Sequence, residues 1–407
     1  MDEHLHSTWQ ATLRTILAAA TVVTLVLLAF AWPSYTAKPK GMPVAIVAPT
    51  PQRAAVAQQL EAAGGAFTVV DQSDRAAAVE AIEQRGVYGA LVFSGQKTEV
   101  LTASAGSAAA TQMLAGAAQK LGAQQMAAVA AQKQQAAGEV AKLGAQAAAA
   151  AASAQTLATV SQGLPAAQAA AMKPQVEAAQ KAAAGAAAKA KQAQDSLAAT
   201  SAPVVAITDV VPLASSDARG TGIAIAGLPL TMGGMIGGVL ISMLLVGWKR
   251  RLVAVAGYGV LGGLLLTGIL QGWFGFIQGG FWMNWLVIGA SIAATAAFIV
   301  GAHSLLGRPG LALGAILTLF VGNPLSSQSM PKEWLPGAWG EIGQWFVPGA
   351  AGNLMRIESY FPQASTFQPW LALLVWFGLG VVLAVVGRRA GTVAGAVVGS
   401  RGDVDER

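Results

Sequence analysis

The sequence predicts a polytopic α-helical membrane protein: six transmembrane helices, with a large extracytoplasmic α/β domain that carries a long alanine-rich helical insert between the first two. Three observations predict it. The composition is 54% hydrophobic and only 11% charged, with a mean hydropathy of +0.54, too apolar for an ordinary soluble chain. Apolar runs of spanning length recur at one end of the chain and again after residue 221. Between them lies a hydrophilic region that first alternates β-branched runs with helical patterns and then turns to alanine, glutamine and lysine.

Residues 1–14 form a short N-terminus ending in Arg14, and Thr15 to Trp32 is the first span, retained because the following PSYTAKPKG offers no clear cleavage site. Residues 33–216 form the outer region. Its α/β core takes in residues 42–103 and 202–214: strand-like VAIVAP, a helix around Ala54 to Ala63, FTVVDQ, a helix around Arg75 to Arg85, YGALVF, TEVLTA, and finally VVAITDVVPL returning to the same sheet. Residues 104–200 form the insert. Alanine is the strongest helix former, so a long helical array that doubles back as a hairpin is expected, with Gly163 to Pro165 and Lys173–Pro174 as its clearest breaks. Its large apolar residues are sparse, so it packs through alanine seams and serves as a spacer or as a stalk that meets a partner.

The later spans are expected at residues 222–247, 252–270, 283–302, 311–321 and 370–386, with a cytoplasmic C-terminus over 387–407. Placing both termini inside puts WKRR (Trp248 to Arg251), His303 to Gly310 and Arg388–Arg389 inside as well, which is the positive-inside pattern of a multi-pass plasma-membrane protein. The net charge of +6 reflects those flanking residues, and without aromatic interleaving it does not point to nucleic acid. In the second span Gly233 and Gly237, with Gly234 and Gly238, form overlapping GxxxG pairs that favour packing within the bundle and also allow a homodimer.

Residues 322–367 read as an outer re-entrant or interfacial segment. The 311–321 run is too short to cross alone as a straight helix, and Gly322, Asn323 and Pro324 are expected to break it near the outer leaflet. Trp334, Trp339 and Trp345 suit the headgroup level, and Pro331, Pro336 and Pro348 divide the segment into short pieces. Ahead of the second span, Asp217 and Arg219 read either as a solvated turn or as an ion pair fixing the outer domain to the bundle.

Chemistry-bearing motifs are few. There is no cysteine, and His4, His6 and His303 lie at no metal-ligand spacing. A phosphate loop, a nucleophile elbow, a HExxH pair and a serine–histidine–aspartate set are all missing, so the sequence predicts neither an enzyme nor a cofactor or metal site. No Asp, Glu, Lys or Arg lies inside any predicted span, which disfavours proton-coupled transport.

The order of these parts, together with DVVPLASSDARGTG before the second span and GNPLSSQSMPKEWLPGAWGEIGQWFVPGAAGNLMR after the fifth, resembles the type-2 ABC exporter permeases, in particular their actinobacterial YhgE/Pip-like (phage infection protein-like) relatives. The resemblance implies a dimerising permease half that works with a separate ATPase to export lipophilic or envelope-directed substrates. It marks Asp217, Arg219, Gly220, Asn323, Pro324, Pro336, Pro348 and Arg356 as signature and gating positions. The chain departs from the family in its ATPase-docking face, which is reduced to residues 1–14 and the Lys249 to Arg251 loop. The alternative is a non-transporting scaffold or accessory subunit that engages other envelope proteins, or a phage receptor. For a permease, Asn323→Ala and Pro324→Ala are expected to impair transport more than deletion of the helical insert does. Transport equal to wild type in both variants removes that motif from the mechanism.

Overall fold

The computed structural model describes residues 9–49, 53, 54, 56, 58, 64–95, 97–199 and 204–402, and separates into two compact units. One unit contains the apolar helices and most of the sheet. The other contains residues 94–99 and 116–206, most of which form the alanine-rich helices.

In the first unit, helix α1 (Trp9–Thr36) enters a five-stranded sheet of order β2-β1-β3-β4-β5. Strands β1 (Met42–Val47), β2 (Phe67–Asp71) and β3 (Gly89–Ser94) run parallel, with Met42 opposite Phe67 and Ala45 opposite Ala90. Helix α2 (Arg75–Glu83) crosses between β2 and β3; the Asp74 carboxylate accepts from the Ala77 amide at 2.9 Å and so caps its first turn. β4 (Lys97–Thr102) leads into the insert, and β5 (Val204–Asp209) returns from it to the sheet edge beside β4, as the sequence predicts. The helix expected around Ala54 to Ala63 lies largely outside the described residues.

In the second unit the insert is helical. Helix α3 (Ala108–Gln162) and helix α4 (Ala166–Ala199) meet at Gly163 to Pro165, which fixes the apex of the hairpin. At about 1.5 Å per residue, α3 is roughly 80 Å long. Lys173–Pro174 is not a break: α4 runs through Pro174, within its third turn. The two helices face each other around Leu143, Gln146, Ala182 and Gly185 across small side chains, and α4 buries no residue, so the hairpin is stabilised mainly by alanine's helix propensity.

Among the described residues five helices are long and apolar enough to cross a membrane: Thr12–Thr36 of α1, α5 (Gly222–Leu244), α6 (Trp248–Thr267, with a π-helical turn extending it to Trp273), α7 (Phe281–Leu306) and Phe367–Gly387 of α11 (Phe367–Gly402). α7 is the most deeply buried of them and forms the axis of the bundle. Glycines bring its neighbours to backbone contact: Gly234 and Gly238 of α5 face Thr295 and Ala296, Gly259 and Gly263 of α6 face Gly289, and Gly380 of α11 faces Ala297. The overlapping GxxxG pairs are therefore occupied inside the chain. Gly234 and Gly238 meet α7, whereas Gly237 packs on Tyr258 and the Gly233 carbonyl accepts the Tyr258 hydroxyl at 2.7 Å.

The run expected as a fifth span is not one of the five. It forms α8 (Arg308–Ala315), a π-helical turn (Ile316–Gly322) and one further α-helical turn (Asn323–Leu325). Gly322, Asn323 and Pro324 do not break it. The widened turn comes immediately before Pro324, which then stands in the first turn of the next piece, where a missing amide donor costs little. The chain turns instead at Ser326 and Ser327, the latter with φ +51°.

Beyond it, a 3-10 turn (Lys332–Trp334), α9 (Trp339–Gly343) and α10 (Val347–Tyr360) lead to α11. α10 takes part in two cores. Val347, Ala350, Leu354 and Met355 join the bundle cluster around Ile288 and Ile292, while Ile357, followed by Phe361 and Ala364, completes the sheet cluster with Ala45, Ile82, Ala90 and Leu101. The backbone contacts with α7 predict that Gly263→Val, whose Cβ alone would lie 2.7 Å from Gly289 Cα and 3.1 Å from the Trp285 carbonyl oxygen, destabilises the protein by about 1–3 kcal/mol in detergent unfolding. Gly257→Ala, with nothing within 4 Å, is expected to leave stability unchanged or raise it by up to about 1 kcal/mol.

Candidate functional site

A chamber of about 430 Å³ opens where three pieces of the first unit meet: the turn from α2 into β3, the segment from Ser326 to Trp345, and helix α10. Its polar wall is built mainly by Arg85, Tyr88, Gln328, Glu333, Asn353 and Arg356. Arg85 arrives there because α2 ends on it. The Arg85 amide donates to the Ile82 carbonyl and the Gly86 amide to the Ala81 carbonyl, a reversal that needs a left-handed residue at Arg85, which has φ +60°. Glycine is the usual residue at such a position, because a side chain there costs about 1–2 kcal/mol.

Arg85 Nη1 donates to Asn353 Oδ1 at 2.6 Å, and the guanidinium lies 5.3 Å from the centre of the Phe361 ring. One helical turn further along α10, Arg356 Nη2 donates to the Gln328 carbonyl at 2.7 Å. Gln328 Nε2 in turn donates to the Pro348 carbonyl at 3.0 Å, which ties the segment to the start of α10. The Tyr88 hydroxyl donates to Glu333 Oε2 at 3.0 Å, and Lys332 pairs with Glu341 at 2.7 Å.

These groups share a restricted volume, and their charges act on one another. Burial, reinforced by the like charge of Arg356, pushes the Arg85 guanidinium down to about 10. Burial likewise lowers Arg356. The Tyr88 hydroxyl is pushed up, first by burial and then by the Glu333 charge, so it stays protonated and remains a donor. Both arginines keep their charge at neutral pH.

Of the residues singled out by sequence, Arg356 and Trp345 line this chamber and Pro348 supports it. Asp217 lies elsewhere, at the start of α5. It is buried, and its carboxylate accepts from the Thr221 amide at 3.1 Å and the Gly222 amide at 2.8 Å, capping the helix. Arg219 is exposed, so Asp217 belongs neither to a solvated turn nor to an ion pair with Arg219 among the described residues. Gly220 adopts φ +65° against Leu213. Asn323 and Pro324 lie in the helical run, and Pro336 accepts the Trp339 amide in the turn before α9. Trp339 and Trp345 are 44% and 48% exposed. Trp334 is half-buried instead, and its carbonyl accepts the Lys38 amide.

Sequence reasoning missed Arg85, Tyr88, Gln328, Glu333 and Asn353. Arg85 and Tyr88 stand at the ends of ordinary helix and strand patterns, and only the left-handed turn brings them beside α10. Arg251 was read as a loop charge. It is a helix staple, donating to the carbonyls of Ser242 and Leu245 at the end of α5 and to the Ser304 hydroxyl of α7.

Comparison with family models, with curated proteins and with solved structures finds no match to this chain. The roles of Asp217 and Arg219 can be separated by substitution. Asp217→Ala, which removes a helix cap, is expected to cost about 0.5–2 kcal/mol in detergent unfolding, and Arg219→Ala less than about 0.5 kcal/mol. Equal losses would restore the ion-pair reading.

Proposed function

We propose that the chain is a permease-like membrane subunit that moves a lipophilic or envelope-directed substrate. In this reading it crosses the plasma membrane six times, with its termini inside and the sheet and helical hairpin outside. The observation that carries it is the chamber beside the bundle, enclosed by the Ser326–Trp345 segment and supported by α10. A lid above membrane helices, with a polar cavity beneath it, is the arrangement a transported amphiphile requires.

Two features support the topology. The consecutive helical pieces of 8, 7 and 3 residues from Arg308 to Leu325 make roughly 25 Å of helix, close to the ~30 Å hydrocarbon core. Exposed aromatics also mark the helix ends, with Trp273, Trp282, Trp339, Trp345 and Phe367 toward the chamber and Trp9 at the start of α1.

A second reading is favoured by the interior of the bundle. A cavity beside Thr231, Ser291, Thr295 and Met355 holds only about 10 Å³, room for a single water, and close packing of this kind suits a scaffold or accessory subunit that transports nothing. A transport route would then run along the outside of the bundle or between copies. Purification of the full chain in mild detergent separates the two readings. Co-purification of a nucleotide-binding subunit whose ATP hydrolysis rises on addition of this chain is expected for export. A stable complex with envelope proteins and no ATPase would contradict it.

A further inference from the structure

The chamber described above has a charge balance that its own contacts leave incomplete. Each guanidinium carries five N–H donors. Among the described residues, Arg85 uses one on Asn353 and Arg356 one on the Gln328 carbonyl, and neither makes an ion pair. Of the other lining charges, Lys332 and Glu341 neutralise each other, whereas Glu333 accepts only the neutral Tyr88 hydroxyl and keeps its negative charge, which acts on Arg85. Two half-buried cations therefore face one cavity with a single carboxylate to balance them, an excess of one positive charge that a bound anion would offset.

The backbone points to the same place. Arg85 and Ser327 are the two described non-glycine residues with positive φ, and both line the chamber. Strain of this kind persists where the surroundings demand it, and it concentrates at binding sites. At Arg85 a glycine would relieve the strain and the charge repulsion but would forfeit the Asn353 hydrogen bond and the Phe361 contact, and neither of those uses the remaining guanidinium donors.

We propose that Arg85 and Arg356 clamp a phosphate group in this chamber. A carboxylate offers two oxygens in one plane, enough for a single guanidinium fork, whereas the tetrahedral oxygens of a phosphate can serve two forks approaching from different elements. The chamber is much larger than a bare phosphate needs and falls in the range of small-ligand pockets, so its size suits a phosphate carried on a headgroup. The site does not depend on export, because a scaffold would bind the same group as a resident ligand.

The test uses the full chain in an uncharged detergent at constant ionic strength. Thermal unfolding is followed with inorganic phosphate, acetate or chloride, and with mixed micelles containing phosphatidylglycerol or phosphatidylcholine. Wild type is expected to be stabilised by phosphate or by phosphatidylglycerol. Stabilisation by phosphatidylglycerol alone identifies a headgroup, and stabilisation by inorganic phosphate shows that the anion suffices. Arg85→Gly and Arg356→Gln should each weaken the response about tenfold or more. Arg85→Gly trades relief of the left-handed strain for loss of the Asn353 bond, so it should still unfold in one cooperative transition near the wild-type temperature without ligand, which shows that its fold is intact. The proposal is overturned if neither phosphate nor phosphatidylglycerol stabilises wild type. It is equally overturned if acetate matches phosphate, if phosphatidylcholine matches phosphatidylglycerol, or if both variants respond like wild type.

Discussion

Helix α10 is a structural element of two hydrophobic cores at once, and the architecture of the first unit depends on it. Four of its apolar residues belong to the bundle around Ile288 and Ile292, and Ile357 with the following Phe361 closes the sheet cluster around Ala45 and Ile82. Burying a side chain of that size contributes about 1.5–3 kcal/mol, so neither cluster is complete without the helix. The sheet is held to the bundle through side chains that both share, and not only through the strand-to-helix connections. The same helix presents Asn353 and Arg356 on its remaining face, and that is why a charged chamber forms at the junction.

The bundle achieves its order with little polar chemistry. Lipid-facing helices gain nothing from hiding apolar surface from other apolar surface, so association rests on close packing. Glycines of three neighbours supply that packing against α7, and the hydroxyls of Thr231, Ser242, Ser291 and Thr295 turn back onto their own helix carbonyls. Charge is confined to helix ends, where it has defined work: Asp217 caps the start of α5 and Arg251 binds the carbonyls at its end. The chamber is the exception. It gathers two guanidiniums, and its unusual electrostatics stand out against so economical a framework.

Much of the fold was legible in the sequence because it rests on composition and period. Spanning runs, the alternating strands, the return of Val204 to Leu213 to the sheet and the alanine hairpin all follow from patterns along one segment. Pro324 misled because proline breaks a regular helix, and the π-helical turn that accommodates it depends on packing against Phe346 and other neighbours rather than on local preference. Pro174 misled in the same way, since the helix around it continues. Glycine spacing revealed close helix approach but not its partner, which proved to be α7 of the same chain. The chamber was the least legible part. Its residues come from positions as far apart as 85 and 353, and they meet through tertiary packing and one left-handed residue. Of its lining residues Arg356 was singled out through a family resemblance and Trp345 as an interfacial anchor, neither through the chemistry of a chamber.

A shared core requires α10 to join sheet and bundle into one cooperative structure. Hydrogen exchange of the full chain in detergent, followed across a denaturant series, measures this directly. Amides of β1, β3 and α10 should lose protection together, at the same denaturant concentration as the buried centre of α7. Strands that open at a much lower concentration, while α10 and α7 stay protected, would show that the sheet is only tethered to the bundle and would contradict the shared core.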